Sequence, residues 1–406
     1  MRTPRFALYG IGGVYNYGCE AIVRGTEALL HETWPNAKVL YASVRPEEDR
    51  RRLDGTHVDI VPRRHCSRYS PRNLARKAAS LLGSSWSPLL EHAPWLDACD
   101  VVLSIGGDLY TLWPSGARWA YGRTLVRFGD EVRRRGKMYV VWGASIGPFE
   151  ADPQAKEALA AHLRTVDLIT TREPQSTKYL RHLGITDNVV PCADPAFAVP
   201  SVPELAGGGN RPLRIGVNLS PLAHRHVRGP ALSASIEGDG EAIASIVTRF
   251  DRDVVLIPHV VCNFSEADDD LRFLRAVRAT IPPRVTNRVQ VLDEDAGFLG
   301  TGQRMNGCSV VVAARMHCAI NALSHLIPTV FLSYSQKAAG MARYVYGHER
   351  WVVPISEVNS DRLLAVIDDV LANQDEIRSY LARRLVEIRA DARRGVDALA
   401  EVIGGR

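Results

Sequence analysis

The chain has 406 residues, enough for two domains at roughly 100–200 residues each. Its 46% hydrophobic and 23% charged residues are those of an ordinary globular protein and exclude a disordered, collagenous or disulfide-scaffold chain. Fifty Lys and Arg against 45 Asp and Glu leave +5, too thin a positive excess over this length for a nucleic-acid binder, while anionic small molecules and a membrane surface stay compatible.

The amino terminus moves from two basic residues into a short apolar strand and then glycines, without the apolar core and cleavage site of a secretory signal. No stretch reaches the roughly 18–20 apolar residues that span a bilayer. The seven cysteines form no CxxC pair and no cluster with His at metal-ligand spacing. The expectation is a cytoplasmic protein with reduced thiols and no metal or cofactor, whose contact with the inner face of a membrane would be peripheral.

The dominant rhythm is a short apolar run closed by Gly, Pro or a polar residue and followed by a longer amphipathic segment, the grammar of an α/β protein. In the first half, runs at 6–13, 38–44, 58–62, 100–108, 137–147, 168–173 and 188–195 predict strands. Several are apolar on both faces, as in a parallel sheet covered by helices. Helices are expected between them, among them Glu20 to Glu32, Trp119 to Arg135, and Asp152 to Thr165, the last opened by Asp152-Pro153.

The stretch 200–212, PSVPELAGGGNRP, cannot hold a regular element and reads as an interdomain linker. The rhythm restarts with runs at 213–222, 253–261, 288–294, 309–317, 327–335 and 350–355, so a second α/β domain mirrors the first. A long helical pattern, about 360–403, closes the chain. The expected architecture is two Rossmann-like domains facing a cleft, residues 1–205 and 206–375, with a C-terminal helix, 376–406, packing back across them.

In open parallel sheets, ligands bind beyond the carboxyl ends of the strands, and the motif-rich positions fall there. GIGGVYNYGCEAI, Gly10 to Ile22, places Asn16, Gly18 and Glu20 between the first strand and a helix; it is neither a Walker A loop nor a GxGxxG. Its glycines serve a tight turn or a ligand contact, and both readings stand. SIGGDLYTLW, Ser104 to Trp113, sets Asp108 beside Tyr110 and Trp113, a grouping that can hold a sugar by stacking and hydrogen bonding or can be buried packing with Asp108 as a helix cap. Arg172, between a strand and a helix opened by Pro174, suits a carboxylate or phosphate, or a structural ion pair with Glu173 or Asp194.

The strongest signal lies in the second half. Arg315 and His317 sit at one strand-to-helix turn and Lys337 at the next, so three cationic or titratable groups can converge on one anion beside a helix amino terminus. Asn218 and His259 lie at the tips of two further strands and add a hydrogen-bond donor and a titratable group.

With these residues the sequence resembles the polysaccharide pyruvyl transferase family over nearly its whole length. The matching pieces are Gly13, Asn16, Gly18, Glu20 and Ala21 in the amino-terminal pattern, the SIGG loop, Gly143 to Phe149, Arg172 to Ser176, Ala193 to Phe197, GVNLSP, RMHCAI and SYSQK. Where many relatives carry a third glycine, this chain has Asp108. The resemblance implies a GT-B-like fold, phosphoenolpyruvate as co-substrate, and a saccharide or lipid-linked saccharide acceptor that receives pyruvate as a cyclic ketal. It implies donor contacts from Arg315 and His317, aided by an Arg of the first domain, here Arg172.

Phosphoenolpyruvate carries a carboxylate and a phosphate, which Arg172, Arg315 and Lys337 can meet. His317 is expected to act as acid or base, since an imidazole can exchange protons with either partner, with Arg315 as its catalytic neighbour and Asn218 and His259 completing the donor side. Asn16, Glu20, Asp108 and Tyr110 are expected on the acceptor side. The alternative is a GT-B glycosyltransferase with a nucleotide-sugar donor, for which the second half offers no convincing ribose contact. A sugar-binding homologue without catalysis would bind acceptor and release no phosphate.

Overall fold

The inner apolar runs fold as strands because nearly every residue in them finds a buried place on one sheet face or the other, whereas the edge runs Val58–Pro62 and Val189–Pro191 are only partly covered. The computed structural model describes residues 3–67, 69–83, 91–112, 119–201, 214–229 and 231–406; Trp113 and almost all of the 200–212 stretch lie outside them. The first half supplies β1 (Arg5–Tyr9), β2 (Lys38–Ser43), β3 (Val58–Pro62), the short antiparallel pair β4 (Arg64–His65) and β5 (Glu91–His92), β6 (Val101–Ile105), β7 (Met138–Ala144), β8 (Leu168–Thr171) and β9 (Val189–Pro191). All but the β4–β5 pair form one sheet in the order β3-β2-β1-β6-β7-β8-β9, parallel throughout.

Every residue of β6 and β7 is buried, which is what a parallel sheet covered on both faces requires. The helix Pro153–Thr165 starts where expected: the Asp152 carboxylate accepts the Ala155 N–H at 3.0 Å, satisfying one of the orphan donors of the first turn. Packing here is aromatic, with Tyr9 stacked on Phe128 at 3.7 Å between ring centroids.

The second half supplies β10 (Arg214–Asn218), β11 (Val254–Leu256), β12 (Val289–Val291), β13 (Cys308–Ala313), β14 (Thr329–Ser333) and β15 (Val352–Pro354). They form a second parallel sheet in the order β12-β11-β10-β13-β14-β15. The closing helical pattern is two helices, Asp361–Ala372 and Gln374–Gly404. Among the described residues no helix is long and apolar enough to cross a membrane.

The chain divides into two units, Met1–Val14 with Ile22–Ala198 and Asp391–Arg406, and Tyr15–Ala21 with Val199–Ala390. Three crossings are therefore made away from the Pro- and Gly-rich stretch. Tyr15–Ala21, which includes the first turn of the helix Tyr17–Thr33, groups with the second unit. The last helix groups with the second unit up to Ala390 and with the first from Asp391, where Arg393 meets Glu32 at 3.2 Å and Gly395 lies over the Trp142 ring.

Candidate functional site

Because the second sheet is parallel, the carboxyl ends of β10, β11, β13 and β14 share one edge, and the segments that follow them carry Asn218, His259, Arg315 and Lys337. Arg315 is the residue before the helix Met316–Ser324 and is held from three sides. Its backbone N–H donates to Asn218 Oδ1 at 2.8 Å, while Asn218 Nδ2 donates to the Ile257 carbonyl at 2.8 Å, so one buried amide ties three strand tips together. Both ends of that amide are thus engaged by the backbone.

The Arg315 guanidinium meets Asp270, with Nη2 2.8 Å and Nε 3.2 Å from Oδ1, and Nη2 also donates to the Asp268 carbonyl at 3.1 Å. Asp270 Oδ2 takes the backbone N–H groups of His259 and Val260, each at 3.1 Å. Burial raises the Asp270 carboxyl pKa, yet four N–H groups converge on its oxygens and the pair is ionised. Burial also works against the Arg315 charge, and Asp270 outweighs it, leaving the guanidinium pKa raised. Nη1 has no hydrogen-bond partner among the described residues, and the side chain keeps 12% of its surface exposed, which leaves one edge of the fork for an anion.

His259 is buried against Tyr17 and Phe298, ring centroids 5.4 and 5.8 Å away. Burial, with His317 and Arg315 close by, holds its imidazole well below the ordinary value, so it is neutral at pH 7. Its Nε2 is buried without a hydrogen-bond partner among the described residues.

The amino-terminal motif belongs to this same edge. Asn16 pairs with Val260 in an antiparallel bridge, Tyr17 N–H donates to the His259 carbonyl at 3.0 Å, and Asn16 Oδ1 accepts the Gly18 N–H at 2.9 Å to cap its helix. Gly18 lies against the imidazole of His317: a Cβ there would fall 2.4 Å from Nδ1, so only glycine leaves the ring its place. Glu20 is buried and its Oε2 accepts the Phe298 N–H at 2.8 Å, in the first turn of the helix Gly297–Met305. Asn16 and Glu20, expected on the acceptor side with the first domain, are therefore placed in the second unit, where Glu20 caps a helix from inside the protein. Lys337 stands in the first turn of the helix Gln336–Tyr346, after β14, and Tyr334 before it lies near Arg315.

In the first unit, Arg172 is buried and pairs with Asp194 at 2.7 Å, with Asp108 at 3.9 Å and Ser145 Oγ at 3.2 Å. Burial opposes its charge; Asp194, Asp108 and Glu173 more than compensate, and its pKa is raised. The guanidinium lies so close to Gly107 that a Cβ there would come within 2.1 Å of Nη2, which is why the loop reads Gly107 before Asp108. Asp108 keeps 40% of its side-chain surface exposed and is the acidic group of this loop that a ligand can reach.

Tyr110 departs from expectation. Its ring is buried and stacked with His162, and its hydroxyl meets Tyr139 at 3.1 Å and His162 Nε2 at 3.3 Å. A phenol so engaged offers no face to a sugar; packing, the other reading of the loop, holds for it.

The sequence reading missed Asp270, the counter-ion of Arg315. It stands in the acidic run Asp268-Asp269-Asp270, where Asp269 caps the helix Asp270–Thr280 by accepting the Leu271 N–H at 3.0 Å. An acidic run before a helix reads as capping, and nothing local marks its third member as buried.

The model of the polysaccharide pyruvyl transferase family matches residues 16–336, a span that includes the amino-terminal motif and ends one residue before Lys337. Among curated proteins, the amylovoran biosynthesis protein AmsJ of Erwinia amylovora is 25% identical over 260 residues, covering 61% of this chain and 61% of its own length. Among solved structures, UDP-GlcNAc 2-epimerase from Neisseria meningitidis bound to UDP-GlcNAc gives a TM-score of 0.58 at 10% identity, over 98% of this chain and 99% of that one. Anabaena HepE in complex with UDP and glucose gives 0.56 at 11% identity, over the full length of both. At such identities the likeness is one of fold, and it agrees with the expected GT-B-like pair of parallel-sheet α/β domains.

Proposed function

The chain belongs to the polysaccharide pyruvyl transferase family, and on that premise we propose that it transfers pyruvate from phosphoenolpyruvate to a sugar diol of a cell-surface polysaccharide, a glycolipid or a precursor of either. The observation that carries the reading is the guanidinium of Arg315, clamped by Asp270 with Nη1 left over, next to His317 and one strand from Lys337. A dianionic phosphate with a carboxylate needs fixed donors and a proton carrier in one place, and this strand edge supplies both kinds of group. Arg172, its charge met by Asp194 and Asp108, is proposed as a further donor contact, with Asp108 beside it for acceptor hydroxyls.

The bond changes follow from the substrate. A proton adds to the enol methylene, making it methyl, and one sugar hydroxyl attacks the cationic carbon and gives up its proton. The carbon–oxygen bond to phosphate then breaks, phosphate leaves with the electron pair, and the second hydroxyl closes the ring and loses its proton. Two hydroxyl protons are thus released, one replacing that given to the methylene and one leaving with phosphate. His317 is the proposed proton carrier, and Arg315 and Lys337 hold the leaving phosphate and the carboxylate.

Phosphate release from phosphoenolpyruvate in the presence of galactosides, glucosides and mannosides tests this. Turnover with one of them, and its loss in His317→Ala, is the expected result. Sugar transfer from a nucleotide-sugar donor without phosphate release from phosphoenolpyruvate would replace it with the glycosyltransferase reading, and acceptor binding without either reaction would make the protein a sugar-binding homologue.

A further inference from the structure

The helix Pro71–Leu81 of the first unit turns its apolar side outward. Leu74, Ala78 and Leu81, at i, i+4 and i+7, all face solvent, and Leu82 continues the row. Leu81, Leu82 and Tyr69 are 88, 86 and 73% exposed, the three most exposed large apolar side chains among the described residues, and Leu74 is 50% exposed. A soluble surface scatters such groups singly; here four fall within 14 residues.

The charges around them are of one sign. From Ile60 to Leu90 the sequence has six Arg or Lys and no Asp or Glu. Arg63 is spent inside on Glu91, whereas Arg64, Arg72 and Lys77 are exposed. Arg127 of the neighbouring helix Trp119–Arg134 has its pKa lowered by burial and then by Arg123 and Arg76, so these three cations also stand close together. A protein groove that covered the leucines would have to bring acidic groups to every side of them, but an anionic bilayer presents negative headgroups around an apolar interior without any such matching.

We propose that the helix Pro71–Leu81, with Tyr69 and Leu82, docks on an anionic lipid surface, its leucines in the acyl boundary and Arg64, Arg72, Arg76 and Lys77 among the headgroups. The helix is about 16 Å long at 1.5 Å per residue, so it lies in the interface and does not span it. The inference stands apart from the reaction, since it rests on surface residues of the first unit and is read without turnover.

The experiment is flotation of the full chain with vesicles of phosphatidylcholine carrying phosphatidylglycerol, against vesicles of phosphatidylcholine alone. Binding to the anionic vesicles only, weakened by salt, is expected. Arg72→Gln with Lys77→Gln should weaken it on the order of 30-fold, taking about 1 kcal/mol per basic residue, and Leu74→Ser with Leu81→Ser should abolish it, with the unfolding midpoint unchanged in both. No binding by the unaltered chain, or flotation of both variants like the unaltered chain, overturns the proposal. So does a dimer in light scattering that the leucine variant makes monomeric while vesicle binding is absent, which would assign the face to a second copy of the chain.

Discussion

Asp270 Oδ1 lies 2.8 Å from Arg315 Nη2, while the second oxygen of the same carboxylate takes two backbone N–H groups from the segment that carries His259. One buried carboxylate thus fixes the direction of the guanidinium and the path of the loop after β11. It also leaves the edge of the fork bearing Nη1 as the part of Arg315 that can meet a ligand.

Asp270→Asn keeps the shape and removes the charge. The Arg315 cation is then uncompensated in a nearly closed site, which costs about 3 kcal/mol. A lowered urea midpoint together with weakened phosphoenolpyruvate binding is expected; a variant as stable as the parent, with unchanged affinity, would show that the pair is incidental.

His317→Gln should lower the rate of phosphate release by about 10²–10⁴, the usual contribution of a positioned acid or base. Binding of phosphoenolpyruvate, followed by calorimetry, should change far less, because the cations remain. Equal losses in binding and in rate would make His317 a donor contact and not a proton carrier.

Gly18→Ala separates site geometry from helix stability. Alanine is favoured over glycine in a helix by up to about 1 kcal/mol, and Gly18 is the second residue of its helix. Its methyl group would nonetheless stand 2.4 Å from His317 Nδ1 and push the ring aside. The expected outcome is a folded protein with sharply reduced turnover; full activity would mean that His317 works from another position.

Acidification should destabilise the fold through His259. In the unfolded chain its imidazole titrates near 6.5, whereas burial, with His317 and Arg315 close by, places the native value well below this. Between the two values the unfolded state binds the extra proton, so stability is full above about pH 6.5 and falls as pH drops, until the native pKa is passed. The slope for one group is at most about 1.4 kcal/mol per pH unit. His325, lowered by its own burial, acts in the same sense. Urea midpoints measured from about pH 7 down to pH 5 should fall, and His259→Gln should flatten the trend; an identical trend in that variant removes His259 as a cause.

Tyr110→Phe tests the reassignment of that residue to the interior. Loss of its hydroxyl leaves Tyr139 and His162 short of a buried partner, so a stability loss of about 1–3 kcal/mol is expected. Acceptor affinity should not change. A raised acceptor KM at unchanged stability would return Tyr110 to the binding surface.

The strand rhythm was legible because burial on both faces of a parallel sheet writes itself into consecutive residues, as in MYVVWGA of β7. Strand tips were legible for the same reason, and with them the stations of Asn218, His259, Arg315 and Lys337. What each side chain does at its station was not. Tyr110 and Asp108 are two residues apart on one loop, yet one is inside and the other open to solvent. Asn16 and Glu20 follow β1 of the first unit in the chain, yet their contacts are with Val260 and Phe298.

By itself, then, the sequence determined the α/β plan, the two sheets and the turns at which chemistry can occur, because these depend on the polarity of neighbours along the chain. Tertiary structure alone decided that Asp270 rather than a nearer acid faces Arg315, that Gly18 makes room for His317, and that Gly107 makes room for Arg172. Those pairings join residues tens to hundreds of positions apart, and an ion pair or a missing Cβ has its effect over a few ångströms of space, a distance that spacing along the chain does not encode.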